Sequence, residues 1–158
     1  RGGASRRAPG GRCEGSRAKR ETLGNIRQKE NIMEENKYVG EIQDLPDAKG
    51  NFIKHATKKI VFGPKHFSDE FVMRCWTLEP GAGEKDQHQH NWPHWCVMLS
   101  GEGFFVIDGV EYPIEHGSWI YVPNKVPHRF YNSSETEKLE LLCIVPPKGD
   151  IDPTLMGC

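Results

Sequence analysis

"FFVIDGVEYPI", residues 104–114, decides how the rest of the chain is read. Apolar and polar residues alternate on both sides of Asp108-Gly109, and an Asp-Gly pair between two alternating runs predicts a tight two-residue hairpin. Working outward from it, short runs of the same β type recur as "ATKKIVF", "FVMRCWTL", "HWCVMLS", "SWIYV", "HRFY" and "KLELLCIV". Turn-rich breaks such as "GPKHFSDE", "EPGAGEKD", "PNKVP" and "NSSETE" separate them. No segment sustains a 3.6-residue apolar period, so about eight short strands predict an all-β sandwich or barrel. In the last run Leu139, Leu141, Cys143 and Val145 share one face, while Glu140 marks the other as outward. Cys143 is thereby expected to look into the interior.

A chain of 158 residues is long enough for one domain with a real core and short for two. Charged residues make up 27%, and no apolar run approaches the roughly 20 residues of a membrane helix. Residues 1–32 hold nine Lys/Arg against three Asp/Glu, whereas residues 33–158 hold twelve against nineteen. The basic stretch has neither the apolar core of a secretory signal nor an amphipathic pattern. Lys29-Glu30 can be encoded by the purine-rich AAG-GAG that precedes start codons, which makes Met33 the expected start and residues 1–32 a non-native or disordered leader. Residues 33–52 read as a polar arm with room for an edge strand, and residues 53–158 as the barrel. Cys13, Cys75, Cys96, Cys143 and Cys158 form no CxxC and no even framework, which fits a reducing cytoplasm. No phosphate loop, nucleophile–base pair or basic stripe is present, so the expected partner is a small molecule, with no nucleic acid and no membrane.

The chemistry is concentrated in "QHQHNWPHW", residues 87–95. His88 and His90 are two apart, so on an extended strand both imidazoles leave the same face. His94 follows a bend at Pro93, and His128 comes at the start of a strand after "PNKVP", placed to close the set from across the barrel. A lone histidine is more often a surface or satisfied core residue, but three within seven positions point to a divalent metal.

Two stretches resemble the paired motifs of the cupin superfamily. "HQHNWPHWCVMLSG" gives His88, His90, three residues, His94, then six residues to Gly101. "GSWIYVPNKVPHRFYN" gives Gly117, Pro123, His128 and Asn132 at the family spacing. Three positions depart from the pattern. Gly83 precedes His88 by four residues rather than five, Lys125 stands where the second motif has Gly, and His94 stands where the first has Glu. A histidine there, together with the ending Leu142-Cys143-Ile144-Val145-Pro146, is similar to small bacterial and archaeal single-domain cupins with a four-histidine metal site.

The resemblance implies a single jelly-roll β-barrel, a homodimer in which the stretch after Met33 lends a strand, and one divalent metal on His88, His90, His94 and His128. Mn or Fe is expected first, with Zn, Ni or Cu open. Four neutral imidazoles leave the full +2 charge on the ion. Octahedral Mn(II) or Fe(II) keeps two positions open for a substrate, whereas tetrahedral Zn(II) would be complete and structural. The apolar lining is expected from Phe105, Phe130, Leu141 and Cys143, with Trp92, Trp95 or Trp119 near the mouth. Arg74 is a candidate carboxylate anchor, and Tyr121 and Glu102 are weaker candidates for proton transfer. Each of these competes with a plain reading as core or solvated surface. The expected activity is metal-dependent, dioxygenase-like chemistry on a small oxygenated compound. A lyase, isomerase or sugar-modifying role, or a non-catalytic binding module, stands as the alternative.

Overall fold

In the computed structural model, Asp108 and Gly109 both adopt positive φ, and Ile107 pairs with Val110 across them, so the hairpin turn is the expected one. The structure describes residues 38–48, 53–64 and 66–150. Two units divide the chain, Arg1–Gly40 and Glu41–Cys158. The leader assigned to residues 1–32 lies outside the described residues, as do residues 33–37 and 49–52.

Within the second unit the strands are β1 (Ala56–Phe62), β2 (Val72–Leu78), β3 (His94–Ser100), β4 (Glu102–Ile107), β5 (Val110–Glu115), β6 (Trp119–Val122), β7 (His128–Asn132) and β8 (Leu139–Val145). They form a five-stranded sheet in the order β1-β2-β8-β3-β6 and a three-stranded sheet in the order β5-β4-β7. All named pairings are antiparallel. This is an all-β architecture, as the run pattern predicts, and of the jelly-roll type that the resemblance implies.

Side chains alternate strictly through β7 and β8. In β8 Leu139, Leu141, Cys143 and Val145 are buried, and in β7 His128, Phe130 and Asn132 are. Leu78, Val122, Leu139 and Val145 are completely inaccessible to solvent, each contributing roughly 1.5–3 kcal/mol through burial. Asn132 saturates three carbonyls, donating from Nδ2 to Leu78, Glu79 and Glu137, while its Oδ1 accepts the Ser134 N–H. A buried amide with its hydrogen bonds made ties β7 to the turn leading into β8.

The expected edge strand in residues 33–52 is absent among the described residues. Ile42–Asp44 form a single 3-10 turn, and only an isolated bridge, Asp47 to Lys59, joins this segment to β1. The Lys59 ammonium takes over the work of a ladder, donating to the carbonyls of Gln43 and Leu45 and pairing with Asp47. Pro46, which has no N–H, sits in the middle of the stretch and cannot extend a ladder.

Candidate metal centre and cavity

The alternation places one coherent set of side chains inward. Lys58 comes from β1, Arg74 and Trp76 from β2, His94 and Cys96 from β3, Phe105 from β4, His128 and Phe130 from β7, and Leu141 and Cys143 from β8. Together with Glu84, His88, Gln89, His90, Trp92 and Gly149 these line a cavity of about 230 Å3.

His88 and His90 precede β3 in an extended segment. His88 and His128 exchange backbone hydrogen bonds of 3.0 and 2.9 Å, which sets the HxH stretch against the start of β7. The turn at Lys125, whose N–H donates to the His90 carbonyl, closes the other side. Lys125 has φ of 62°, the left-handed conformation that explains why the related pattern has glycine there. Pro93 supplies the expected bend, and β3 starts at His94.

Every one of the four rings is held by its Nδ1. His90 Nδ1 is 2.8 Å from the Trp92 carbonyl and His128 Nδ1 is 2.8 Å from the Val126 carbonyl. His88 Nδ1 lies 3.3 Å from Glu84 Oε1, and His94 Nδ1 lies 3.3 Å from Cys143 Sγ. For His90 and His128 the carbonyl partner makes Nδ1 the N–H, which fixes the tautomer and leaves the Nε2 lone pair for a ligand. His128 Nε2 is buried with no partner, and the Nε2 atoms of His90 and His94 are 2.7 Å apart. Two nitrogens each about 2.1 Å from one ion at a right angle would lie about 3 Å apart, so the spacing fits shared coordination. Ring centroids are 4.5 Å apart for His88–His128, 4.8 Å for His90–His128 and 4.5 Å for His90–His94.

His88, His90 and His128 form one group able to hold a metal, their donor atoms within 4.8 Å of one another. His94 is not in that group but in a second one, with Cys96 and Cys143. Burial, followed by the neighbouring imidazoles, pushes His88 down to about 4, and burial likewise pushes His90 down to about 4. Burial also lowers His128. These rings stay neutral at pH 7, with lone pairs free for a cation.

Glu84 was not singled out by the sequence. Its side chain is 7% exposed, and burial raises it to about 8 despite a hydrogen bond from the Phe130 N–H. Near neutral pH, its contact with His88 therefore joins two uncharged groups in the metal-free protein.

At the other end of the cavity, Arg74, Cys143 and Cys96 form one rung across β2, β8 and β3. Arg74 Nη2 donates to Cys143 Sγ at 3.0 Å, and its Nη1 lies 3.3 Å from the Gly149 carbonyl and 3.5 Å from Asp150 Oδ1. Hydrogen bonding from Cys96 and the adjacent Arg74 charge hold the Cys143 thiol below the usual range, against its burial. The Cys96 thiol is raised, first by that hydrogen bond and then by burial. Lys58, 4% exposed, pairs with the same Asp150 oxygen at 3.0 Å.

Of the expected pocket residues, Arg74, Trp92, Phe105, Phe130, Leu141 and Cys143 line the cavity. Tyr121 does not. It is 48% exposed beside Trp95 on the outer face, because Ile120 and Val122 take the inward positions of β6. Trp95 and Trp119 are likewise exposed, and Glu102 faces solvent at the start of β4. The sequence carried a signal for Lys58, since Ala56, Lys58 and Ile60 share a face, but none for Glu84 in its loop.

Residues 74–145 match the family profile described as Cupin_2, a cupin domain. Among solved structures the chain is similar to the polyketide cyclase RemF from Streptomyces resistomycificus, at 20% identity and a TM-score of 0.62 over 69% of this chain and 78% of that one. It is also similar to a predicted oxalate decarboxylase from Thermotoga maritima, at 18% identity and a TM-score of 0.59 over 68% and 97%. A sugar phosphate isomerase of the cupin superfamily from Silicibacter pomeroyi aligns at 18% identity and a TM-score of 0.59 over 67% and 73%. An uncharacterized protein of Methanocaldococcus jannaschii is 29% identical over 59 residues, 37% of this chain. The match spans 47% of that curated relative's length. The profile match supports a cupin domain over residues 74–145, and the solved structures, at such identities, show the fold alone. No helix among the described residues is long and apolar enough to cross a membrane.

Proposed function

We propose, on the premise that residues 74–145 form a cupin domain, that the protein is a metal-dependent enzyme acting on a small oxygenated compound, with dioxygenase-like chemistry first. The observation that carries this reading is the set of four imidazoles, each tied at Nδ1, gathered on the wall of a cavity. In this reading His88, His90, His94 and His128 hold one divalent ion. Such an ion, as Mn(II) or Fe(II), supplies Lewis acidity and redox chemistry with positions left for substrate oxygens.

The chain's own contribution is positioning and exclusion. Phe105, Phe130, Leu141 and Trp76 make the walls apolar, which lowers the local dielectric and strengthens every charge interaction inside. Glu84, 3.3 Å from Nδ1, orients the His88 ring. A cavity of about 230 Å3 is smaller than the roughly 300–1,000 Å3 of ordinary ligand pockets and selects a small substrate.

The test is metal analysis of protein purified anaerobically without chelators, followed by oxygen uptake with a panel of small hydroxy and oxo acids. Near-stoichiometric Mn or Fe, with turnover abolished in His128→Ala, is expected. Stoichiometric Zn that is inert to added oxalate and required for folding would overturn the reading.

A further inference from the structure

Among the described residues three buried polar side-chain atoms have no hydrogen-bond partner: Arg74 Nε, Trp92 Nε1 and His128 Nε2. All three belong to residues that line the same cavity. The imidazole cluster accounts for His128 Nε2. It makes no use of the other two, which are N–H donors, and a buried donor without an acceptor keeps its full desolvation cost.

The two donors belong to one wall. Arg74 Nη1 donates to the Gly149 carbonyl at 3.3 Å. Gly149 packs so closely on the indole that a Cβ there would lie 2.8 Å from Trp92 Nε1. The indole in turn stacks on His90, with centroids 4.3 Å apart and planes 2° apart. Guanidinium, glycine, indole and imidazole thus follow one another along the cavity.

Charge at this end is incompletely offset. Lys58 and Arg74, both buried, share the single carboxylate of Asp150. Even with Cys143 as thiolate, these four groups only balance. A divalent ion among neutral imidazoles would then leave net positive charge in the cavity.

The geometry points to a carboxylate subsite in which Arg74 Nε and Trp92 Nε1 donate to the carboxylate of a small organic acid, with Lys58 adding positive potential and the acid's other end facing the imidazoles. This deepens the proposed function by naming the substrate class, and it rests on that reading for the far end of the ligand. Two N–H donors suit the two oxygens of a carboxylate. Taking roughly 30 Å3 per water, a cavity of about 230 Å3 admits a molecule of roughly eight heavy atoms.

Calorimetric titration of the full chain, metal-free and metal-loaded, tests this with pyruvate, lactate and inorganic phosphate, and with uncharged methyl pyruvate and lactamide. Pyruvate or lactate is expected to bind at least tenfold tighter than its uncharged counterpart in both forms. Trp92→Phe, which keeps the ring and removes the donor, lowers carboxylate affinity about three- to tenfold and leaves the uncharged compounds unaltered. Arg74→Gln erases the charge preference; if that variant does not fold, Trp92→Phe decides alone. Equal binding of acid and uncharged counterpart, a preference for phosphate, or no carboxylate binding in either form overturns the subsite. A preference seen only with metal also overturns it while sparing the metal reading. A preference in protein that retains no metal keeps the subsite and sinks the metal reading instead.

Discussion

At one end of the cavity four histidines anchor their Nδ1 atoms on carbonyls, a carboxyl and a sulfur, while the Nε2 atoms of His90 and His94 meet and that of His128 is buried unpaired. At the other end Arg74 and Trp92 hold unpaired N–H groups, backed by Lys58 and Asp150. One end is rich in acceptors and neutral, which suits a cation. The other is rich in N–H donors, which suits an anion. The barrel supplies both from the same alternation, so the difference lies in the residues chosen for inward positions rather than in backbone geometry.

His128→Ala should break the acceptor end alone. It removes a direct donor, and metal affinity measured by competition with a chelator is expected to fall by more than about 100-fold, beyond the range typical of outer partners. Arg74→Met should break the donor end and, through Cys143, reach the acceptor end only at His94. Stripping the guanidinium from Asp150 and Cys143 is expected to cost about 3 kcal/mol in urea unfolding, the low end for a broken buried pair because Lys58 still faces Asp150. Glu84→Gln sharpens the contrast, since it keeps the shape but removes the carboxylate behind His88; metal affinity should drop about tenfold.

Protons distinguish the ends as well. His88 and His90 titrate near 4 in the folded chain against an ordinary 6.5, so the unfolded chain takes up protons first as pH falls below about 6.5. Glu84 works in the opposite direction. Its folded value of about 8 lies above the ordinary 4.5, so its contribution is full below about 4.5 and lost as pH rises through 8. The histidines outweigh the carboxyl below 6.5; above it the carboxyl is opposed by Cys143, whose thiol is held below the usual range. Metal-free protein in chelator should therefore lose stability as pH falls below about 6.5, as urea midpoints from pH 4.5 to 8.5 would reveal. Midpoints that stay level between pH 6.5 and 4.5 would place His88 and His90 outside the interior. The smallest effect belongs to Lys125→Gly, which relieves a left-handed φ and should stabilise by about 0.5–1 kcal/mol while leaving both ends intact.

The strands were legible because each inner face is written as a period of two, bounded by Gly, Pro, Asn or Asp. β1 and β3 coincide with their sequence runs, and Cys143 points inward as its alternation requires. The grouping of His88, His90 and His128 was legible because the HxH is local and His128 opens a strand. Tyr121 was misplaced for want of the same test, since Ile120 and Val122 already claim the inner face of β6. Glu84 and Asp150 could not be read. Their roles arise from loops brought against the barrel by tertiary folding, and a carboxylate in a polar loop looks like any solvated one.

The four tryptophans divide evenly between two optical environments. Trp76 and Trp92 stand in the cavity wall, Trp76 edge-on to Phe130 and Trp92 flat on His90, while Trp95 and Trp119 lie on the outer face at 46% and 79% exposure. Emission from the native chain is consequently a blend of a blue, protected pair and a red, quencher-accessible pair. Replacing Trp95 and Trp119 with Phe would leave a chain whose fluorescence originates only inside, and the barrel would then carry its own indicator dye for whatever enters it.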